Sequence, residues 1–384
     1  MMNGFLTDTQ RARQREFREF ATRHVAPFAA GWDRAEKITG DVVARMAEAG
    51  YLGNIVPEKF GGQGWDTVTF GLLNETFGRE CAALTDLLTV QAMVSMTLVK
   101  WGTEEQKSRW LPTLARGEII SAFALTEPEG GSDLQSLRTQ FTDAGDGAFR
   151  LSGTKTWISY AQAAGVFIVV GHAGALPLAC IVPRDSAGVG IEPITGMLGY
   201  RAAGLATVTF TDVAIPAANV IGKPGFALSH VVPIGMQFGR ISTACAALGL
   251  LRGCVEESVA RAAKRKVGSG TVGDFGMTRS MLARMGTDLH AAELLCLAAC
   301  RATDEREPEA FTKTLMAKYF ASRAAVRAAD DAVQIWGAAG CHESAPVSRY
   351  HRDAKILELI EGSSQIHEEL ISRAFLEAVP RPSR

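Results

Sequence analysis

"GEIISAFALTEPEGGSDLQSLRT", residues 117–139, is where one kind of sequence gives way to another. Before it the text is helical. "IISAFAL" is short and apolar, and a Pro-Glu-Gly-Gly-Ser-Asp loop follows. Beyond the loop, "FRLSGTKTWIS", "VFIVVGHAG", "LACIVPR", "VGIEPI" and "ATVTFTDVAIP" repeat the pattern of short β-rich runs split by Gly, Pro, Asp and Asn. That spacing predicts a middle β domain over 118–224, a barrel or sandwich rather than βαβ units.

Residues 1–117 read as helices. Phe17, Phe20, Ala21 and His24 fall at helical spacing, and Gly50 stands as a C′ residue after "DVVARMAEAG". "LTDLLTVQAMVSMTLVKWG" is apolar on most faces, which predicts a buried helix. Thr103 and Gln106 have capping-box spacing ahead of another helix. From 225 to 384 the text is helical again and rich in Ala, with runs such as "RISTACAALGLLRGCVEESVARAAKR" and "EELISRAFLEAV" (368–379) that predict a bundle. The expected class is α+β multidomain, with helices, a β domain and a helical bundle in that order. Ligand sites form readily at such domain interfaces.

The 384 residues are 47% hydrophobic and 21% charged, and their formal net charge of −1 argues against a broad nucleic-acid-binding surface. The seven cysteines lack CxxC spacing, so no metal site is predicted, and all seven are read as packing residues of a reduced, cytoplasmic protein. No apolar run reaches the length of a membrane span, and the polar N-terminus has no signal core.

Four stretches carry candidate chemistry. In "LTEPEGGSDLQSLRT", Thr126 and Ser132 frame glycines, where hydroxyls and backbone N–H groups suit a planar polar ligand; the plainer alternative is a structural loop. In "GTKTWIS", Trp157 standing alone reads first as a core residue of a hairpin. Arg240 heads a long apolar helix, an electrostatically poor place for a cation, so a partner anion is expected. In "LELIEGSSQI" (357–366), Glu361 is either a solvated turn residue or a base held in a cavity. His342, His351 and His367 have no metal-ligand spacing and read as structural or surface.

In order and spacing, "LTEPEGGSDLQSLRT", "KTWIS", the "GR…AALG" helix and "DAVQIWGAAG…RDAKILELIEGSSQI" together resemble the acyl-CoA dehydrogenase family of flavoproteins over nearly the whole chain. The resemblance implies an N-terminal helical domain, a β-barrel-like middle domain and a C-terminal four-helix bundle, with FAD between the last two. Phe123, Leu125 and Thr126 would line the flavin, Gly131 and Ser132 would lie near it, and Trp157 and Ser159 would meet its other side. Ser132, Gln237, Arg240 and Gly362 would face the thioester. Arg265, Gln334, Gly337, Ser363 and Gln365 would serve FAD, with Gln334 and Gly337 meeting that of a partner subunit in a homodimer or homotetramer. Glu361 matches the base that takes the α-proton of an acyl thioester, its N–H donating to the thioester oxygen, while hydride leaves the β-carbon for flavin N5. Electrons would pass to an electron-transfer flavoprotein or to O2.

Several positions depart from the family pattern. Gly268 and Gly276 stand where a Phe and a Gln are usual, with Phe275 nearby as a possible substitute. Gln237 stands where some fatty-acyl members carry Asp. "GYRAAGLATVTFTDVAIP" and "ELIEGSSQI" are closer in flavour to members from polyketide extender-unit pathways, which act on groups held by acyl carrier protein, hydroxymalonyl-type units included. A basic rim of Lys264, Arg265 and Lys266 would suit such a partner. A flavin-dependent oxidase or monooxygenase on the same fold is the alternative, and monooxygenase relatives generally lack a carboxylate at the position of Glu361.

Overall fold

Reciprocal side-chain caps open two of the N-terminal helices. The computed structural model describes residues 2–377, so the last two residues of the 368–379 helical text lie outside the described residues. Thr7 and Gln10 cap each other's backbone N–H at the start of α1 (Asp8–His24). The box expected from Thr103 and Gln106 opens α6 (Glu104–Ala115) in the same way. Between them run α2 (Ala29–Ala35), α3 (Gly40–Glu48), α4 (Thr67–Glu80) and α5 (Ala82–Trp101). Gly50, at φ 75°, ends α3 in the left-handed conformation. α5 is buried along nearly its whole length. By length and composition it could cross a membrane, as could the helix over 227–264, yet both are mostly buried inside the molecule.

The middle of the chain forms β1 (Ser121–Ala124), β2 (Gln140–Gly145), β3 (Ala148–Ile158), β4 (Val166–Ala173), β5 (Leu176–Pro183), β6 (Val189–Pro193), β7 (Ala206–Ile215) and β8 (Val220–Ile221). The strands run in the order β6-β7-β3-β2-β4-β5-β8, with β1 added parallel to β4. β6 and β8 end this path unpaired with each other, so the sheet is folded but open rather than a closed barrel. β1 is buried on both faces, and its alternation assigns them. Ala122 and Ala124 join the interior of the sheet. Phe123 and Leu125 join a second core with Met93, Val94 and Leu98 of α5. This strand therefore welds the β layer to the helices.

The last third comprises α7 (Val232–Lys264), a short hairpin of β9 (Lys266–Val267) and β10 (Gly270–Thr271), α8 (Gly276–Asp304), α9 (Ala310–Trp336), α10 (Pro346–Leu359) and α11 (Ser364–Glu377). α7 is the central helix, packed against α4, α5, α8, α9 and α10. Gly268 turns the hairpin at φ 57°, which gives one departure from the family pattern a local conformational reason. Six cysteines are buried as expected. Cys341 is exposed, because the chain turns there between α9 and α10, and it is not a packing residue.

One buried ion pair fixes the loop with which the sequence reading began. Lys155 is fully buried, and its Nζ donates to Leu125 O (2.9 Å) and Glu127 Oε1 (2.7 Å). Glu127 also accepts from the N–H groups of Arg138 (2.6 Å) and Thr139 (2.9 Å), so one carboxylate ties both ends of the 126–139 loop together. Burial pushes the Glu127 carboxyl up, but the hydrogen bonds from Lys155, Thr139 and Arg138 outweigh it and hold it down at about 2. Burial pulls Lys155 down to about 8, so both groups remain charged at pH 7.

Lys155→Met leaves a buried carboxylate without its cation and should cost about 3–5 kcal/mol in denaturant unfolding. The Glu127 contribution should be intact above its ordinary value of 4.5 and fade as pH falls toward about 2. An acid titration of wild type against Glu127→Gln checks the window.

Candidate active site

α10 ends at Leu359 and α11 begins at Ser364, and the turn between them holds Glu361 at φ 55°. A non-glycine residue there costs free energy unless its surroundings fix it. Here side chains from α7, α9 and α11 converge on the turn. Arg240 Nε donates to the Glu361 carbonyl (3.2 Å), and His367 Nε2 lies 3.2 Å from the same oxygen. Lys318 Nζ donates to Glu358 O (2.9 Å) and Gly362 O (2.7 Å), bridging the turn from before to after Glu361. Lys318 and His367 are fully buried, and Arg240 nearly so.

The carboxyl itself is left free by this clamp. Glu361 as a residue is half-buried, but its Oε2 is enclosed and has no hydrogen-bond partner. Burial raises the group to about 7. Arg240 opposes the rise, Asp86 adds to it, and Lys318 opposes it again. Burial pulls Lys318 down to about 7, against the pull of Glu361 and with the push of Arg240. Burial, together with Lys318 and Arg240, pushes His367 down to about 3, so its imidazole is neutral and donates from Nε2 to the carbonyl. The anion expected for Arg240 is thus Glu361, met through its backbone oxygen and through space.

Two glycines one turn apart on α7 make room for the site. A Cβ at Gly239 would lie 2.2 Å from Glu361 Oε2 and 3.1 Å from Met93 Sδ. A Cβ at Gly235 would lie 2.9 Å from the ring of Phe123. Bare backbone at both positions lets β1 and the Glu361 turn approach the same helix face, about 6 Å apart along the axis. The candidate strand and the candidate base therefore meet on one surface.

The β-domain residues gather beside it. The Thr156 N–H donates to Thr126 O (2.9 Å), which joins the end of β1 to the "KTWIS" segment. Trp157 is not a core residue. It sits at φ 59° and is 53% exposed, because the left-handed turn points its ring outward from the sheet. Ser159 gives its hydroxyl to Asp86. Gly131 and Ser132 are exposed on the loop, and a Cβ at Gly131 would come 3.3 Å from Thr126 Cγ2. An outward aromatic plane, hydroxyls at Thr126 and Ser132, and a side-chain-free approach at Gly131 fit a flat, polar, heteroaromatic group such as a flavin.

Other predicted residues lie elsewhere. Gln237 donates its amide to Thr303 Oγ1 (3.2 Å) and Thr314 Oγ1 (2.7 Å), tying α7 to α8 and α9, while its Oε1 is enclosed and unpaired. Ser363 is half-buried and Gln365 exposed beside Gly362 at the start of α11. Arg265 follows the far end of α7, and Gln334 and Gly337 are exposed at the matching end of α9, where Arg261 Nη2 donates to Trp336 O (3.3 Å). The basic run Lys264–Lys266 lies roughly 36 Å along α7 from Arg240, at about 1.5 Å per residue, so it does not rim this site. Phe275 is exposed beside that distant hairpin.

Sequence reasoning missed Lys318, Asp86 and the two glycines, and of its two readings of His367, structural or surface, the buried contact with the Glu361 carbonyl bears out the structural one. A signal did exist for Lys318. Leu315, Lys318 and Ser322 share the apolar face of α9, and a cation on such a stripe must find buried acceptors.

The sequence matches the N-terminal, middle and C-terminal domain models of acyl-CoA dehydrogenase over residues 7–118, 122–213 and 229–376. A probable acyl-CoA dehydrogenase, YngJ, of Bacillus subtilis is 34% identical, covering 98% of this chain and 100% of its own. The structure of butyryl-CoA dehydrogenase from Megasphaera elsdenii superposes with a TM-score of 0.93 at 27% identity, covering 97% of this chain and 99% of that one. That of the prolyl acyl carrier protein oxidase AnaB gives 0.91 at 25%, covering 96% and 99%.

Removing Arg240 removes the largest influence holding the Glu361 carboxyl down. In Arg240→Leu the Glu361 midpoint should rise above about 7 by about one unit, read from the carboxyl carbon by NMR. An unchanged midpoint refutes the electrostatic role of Arg240. Gly239→Ala should keep the fold but displace the carboxylate.

Proposed function

The chain belongs to the acyl-CoA dehydrogenase family of FAD-dependent oxidoreductases, and on that premise we propose that it oxidises the α,β bond of an acyl thioester with Glu361 as the base. The observation that carries this is the enclosed, unpartnered Oε2 of Glu361 beside Arg240. An α-proton of a thioester is weakly acidic, and a carboxylate raised to about 7 by burial is a stronger base than one in water. FAD supplies the acceptor for hydride from the β-carbon. Phe123, Leu125, Thr126, Gly131, Ser132, Trp157 and Ser159 would hold its ring system. Arg240, Lys318 and His367 fix the carbonyl side of the Glu361 turn, which orients the carboxylate and leaves the Glu361 N–H to steady charge developing on the thioester oxygen. By helix rise, the exposed far-end residues lie roughly 36 Å (Arg265, at the far end of α7 from Arg240) and roughly 24 Å (Gln334, beyond Lys318 on α9) from the residues that hold the Glu361 turn, too far to share one cofactor's ring with it. They would serve the cofactor of a second copy, which makes a homodimer the smallest complete unit.

A carrier-protein-bound acyl group from extender-unit biosynthesis is the second reading. It is favoured by Gln237, whose amide is spent within the protein and presents no acid to a CoA arm, and by the likeness to the carrier-protein oxidase.

Anaerobic addition of butyryl thioester, on CoA and on acyl carrier protein, should bleach the flavin of the holoenzyme, and the faster carrier names the partner. Glu361→Gln should keep FAD and lose bleaching by at least about 1,000-fold. Bleaching of that variant at the wild-type rate refutes the base assignment. Because the carboxyl is raised and must be unprotonated to act, the bleaching rate should climb as pH rises through about 7. Reoxidation by O2 compared with an electron-transfer flavoprotein separates oxidase from dehydrogenase.

A further inference from the structure

α5 carries a second buried acid that the proposed reaction does not use. Asp86, Thr89 and Met93 follow one another at helical spacing on one face of that helix. Met93 marks the level of the base, since its Sδ and the Glu361 carboxyl both abut Gly239. One turn back, Thr89 Oγ1 meets Ser242 Oγ of α7 at 2.6 Å. Asp86 lies two turns back, about 10 Å along the axis between backbones, a gap shortened at the side chains because a long helical side chain such as that of Met93 leans toward the N-terminus. It is 5% exposed. It takes a hydrogen bond from Ser159, and among the described residues no lysine, arginine or histidine pairs with it. Its charge still reaches Glu361 and helps raise that carboxyl, so the two acids share one low-dielectric region. The neighbouring hydroxyls are spent elsewhere: Tyr160 donates to Ala83 O (3.1 Å), and Tyr200 is bonded to Thr85.

We propose that Asp86 selects the substrate, accepting a hydrogen bond from a hydroxyl or ammonium group on the β- or γ-carbon of the acyl chain. This rests on the reading of Glu361 as the base, which sets the α-carbon at one end of the shared region and leaves Asp86 beside the acyl group beyond it. An ionised carboxylate only accepts, so it complements a donor, repels an acyl chain ending in a carboxylate, and is left unpaired against plain hydrocarbon. A site built around a buried polar group discriminates strongly against ligands that leave it unpaired.

Binding is measured by calorimetry in the Glu361→Gln holoenzyme, which does not turn over, with butyryl, glutaryl, 3- and 4-hydroxybutyryl and 3- and 4-aminobutyryl thioesters on both carriers. At least one donor-bearing ligand should bind on the order of 100-fold tighter than butyryl, with glutaryl weakest. The hydroxyl and amine arms tell which donor is read. Asp86→Leu should abolish the difference by weakening the donor-bearing ligand and, with no acid left unpaired, strengthening butyryl. Asp86→Asn, which keeps the shape should the leucine variant not fold, should lose preference for the ammonium ligand. Equal binding of butyryl and every donor-bearing ligand overturns the proposal, as does an equal loss for all ligands in both variants. Flavin bleaching of the wild type by butyryl without discrimination would sink the role of Asp86 and spare the dehydrogenase reading. No bleaching by any thioester would sink both.

Discussion

Everything at the site depends on holding one glutamate in a backbone conformation it does not prefer. Left-handed geometry costs a non-glycine residue about 1–2 kcal/mol. A hydrogen bond to a charged donor returns about 1.5–3 kcal/mol. The turn at Glu361 receives such bonds from Arg240 and Lys318, and one more from neutral His367, so the clamp outweighs the strain. The clamp also works entirely through carbonyl oxygens. A salt bridge to the carboxylate would have fixed the side chain equally well and silenced it as a base.

The same residues set the strength of that base by opposing burial. Enclosure alone drives the Glu361 carboxyl upward, and the charges of Arg240 and Lys318 draw it back to about 7. Lys318 is itself pulled down to about 7 by burial, so it is only part-charged near neutrality and restrains the acid less than a solvated lysine would. The balance leaves a group that is substantially ionised at pH 7 and still avid for a proton. Gly239 completes the arrangement, since any side chain there would occupy the space of the carboxylate.

The division into helices, strands and helices was legible because it rests on local rules. The capping box at Thr103, the apolar length of α5 and the alternation within the β runs each need only a few neighbouring residues. Glu361, Thr126 and Arg240 were legible as a set through a family pattern, although each has a plain local alternative. Lys318 was not, because a cation in a helix ordinarily faces water, and the hold of neutral His367 on the turn was not, because only the crossing of α9 and α11 over the turn buries the two. Read alone, without the family pattern, Trp157 misled for a related reason. Its composition says core, whereas a φ of 59° turns it out of the sheet, and no propensity announces that angle.

The open edge of the sheet and the long axis of α7 explain why the predicted cofactor residues fall into two groups. β1 and the "KTWIS" segment reach the end of α7 that holds Gly235 and Gly239, whereas Arg265 and the end of α9 lie at the other end of the bundle. Roughly 38 Å of α7 separates Gly239 from Lys264, and roughly 24 Å of α9 separates Lys318 from Gln334, by the rise of about 1.5 Å per residue. No bending of a buried, multiply packed helix closes that distance within one chain. Either the far group has no part in the chemistry, or a second copy brings its far end against the first copy's sheet. At that far end the hairpin tip is glycine-rich and uncharged, with the exposed apolar side chains Val267, Phe275 and Met277 around it and the exposed basic run Lys264–Lys266 at its base.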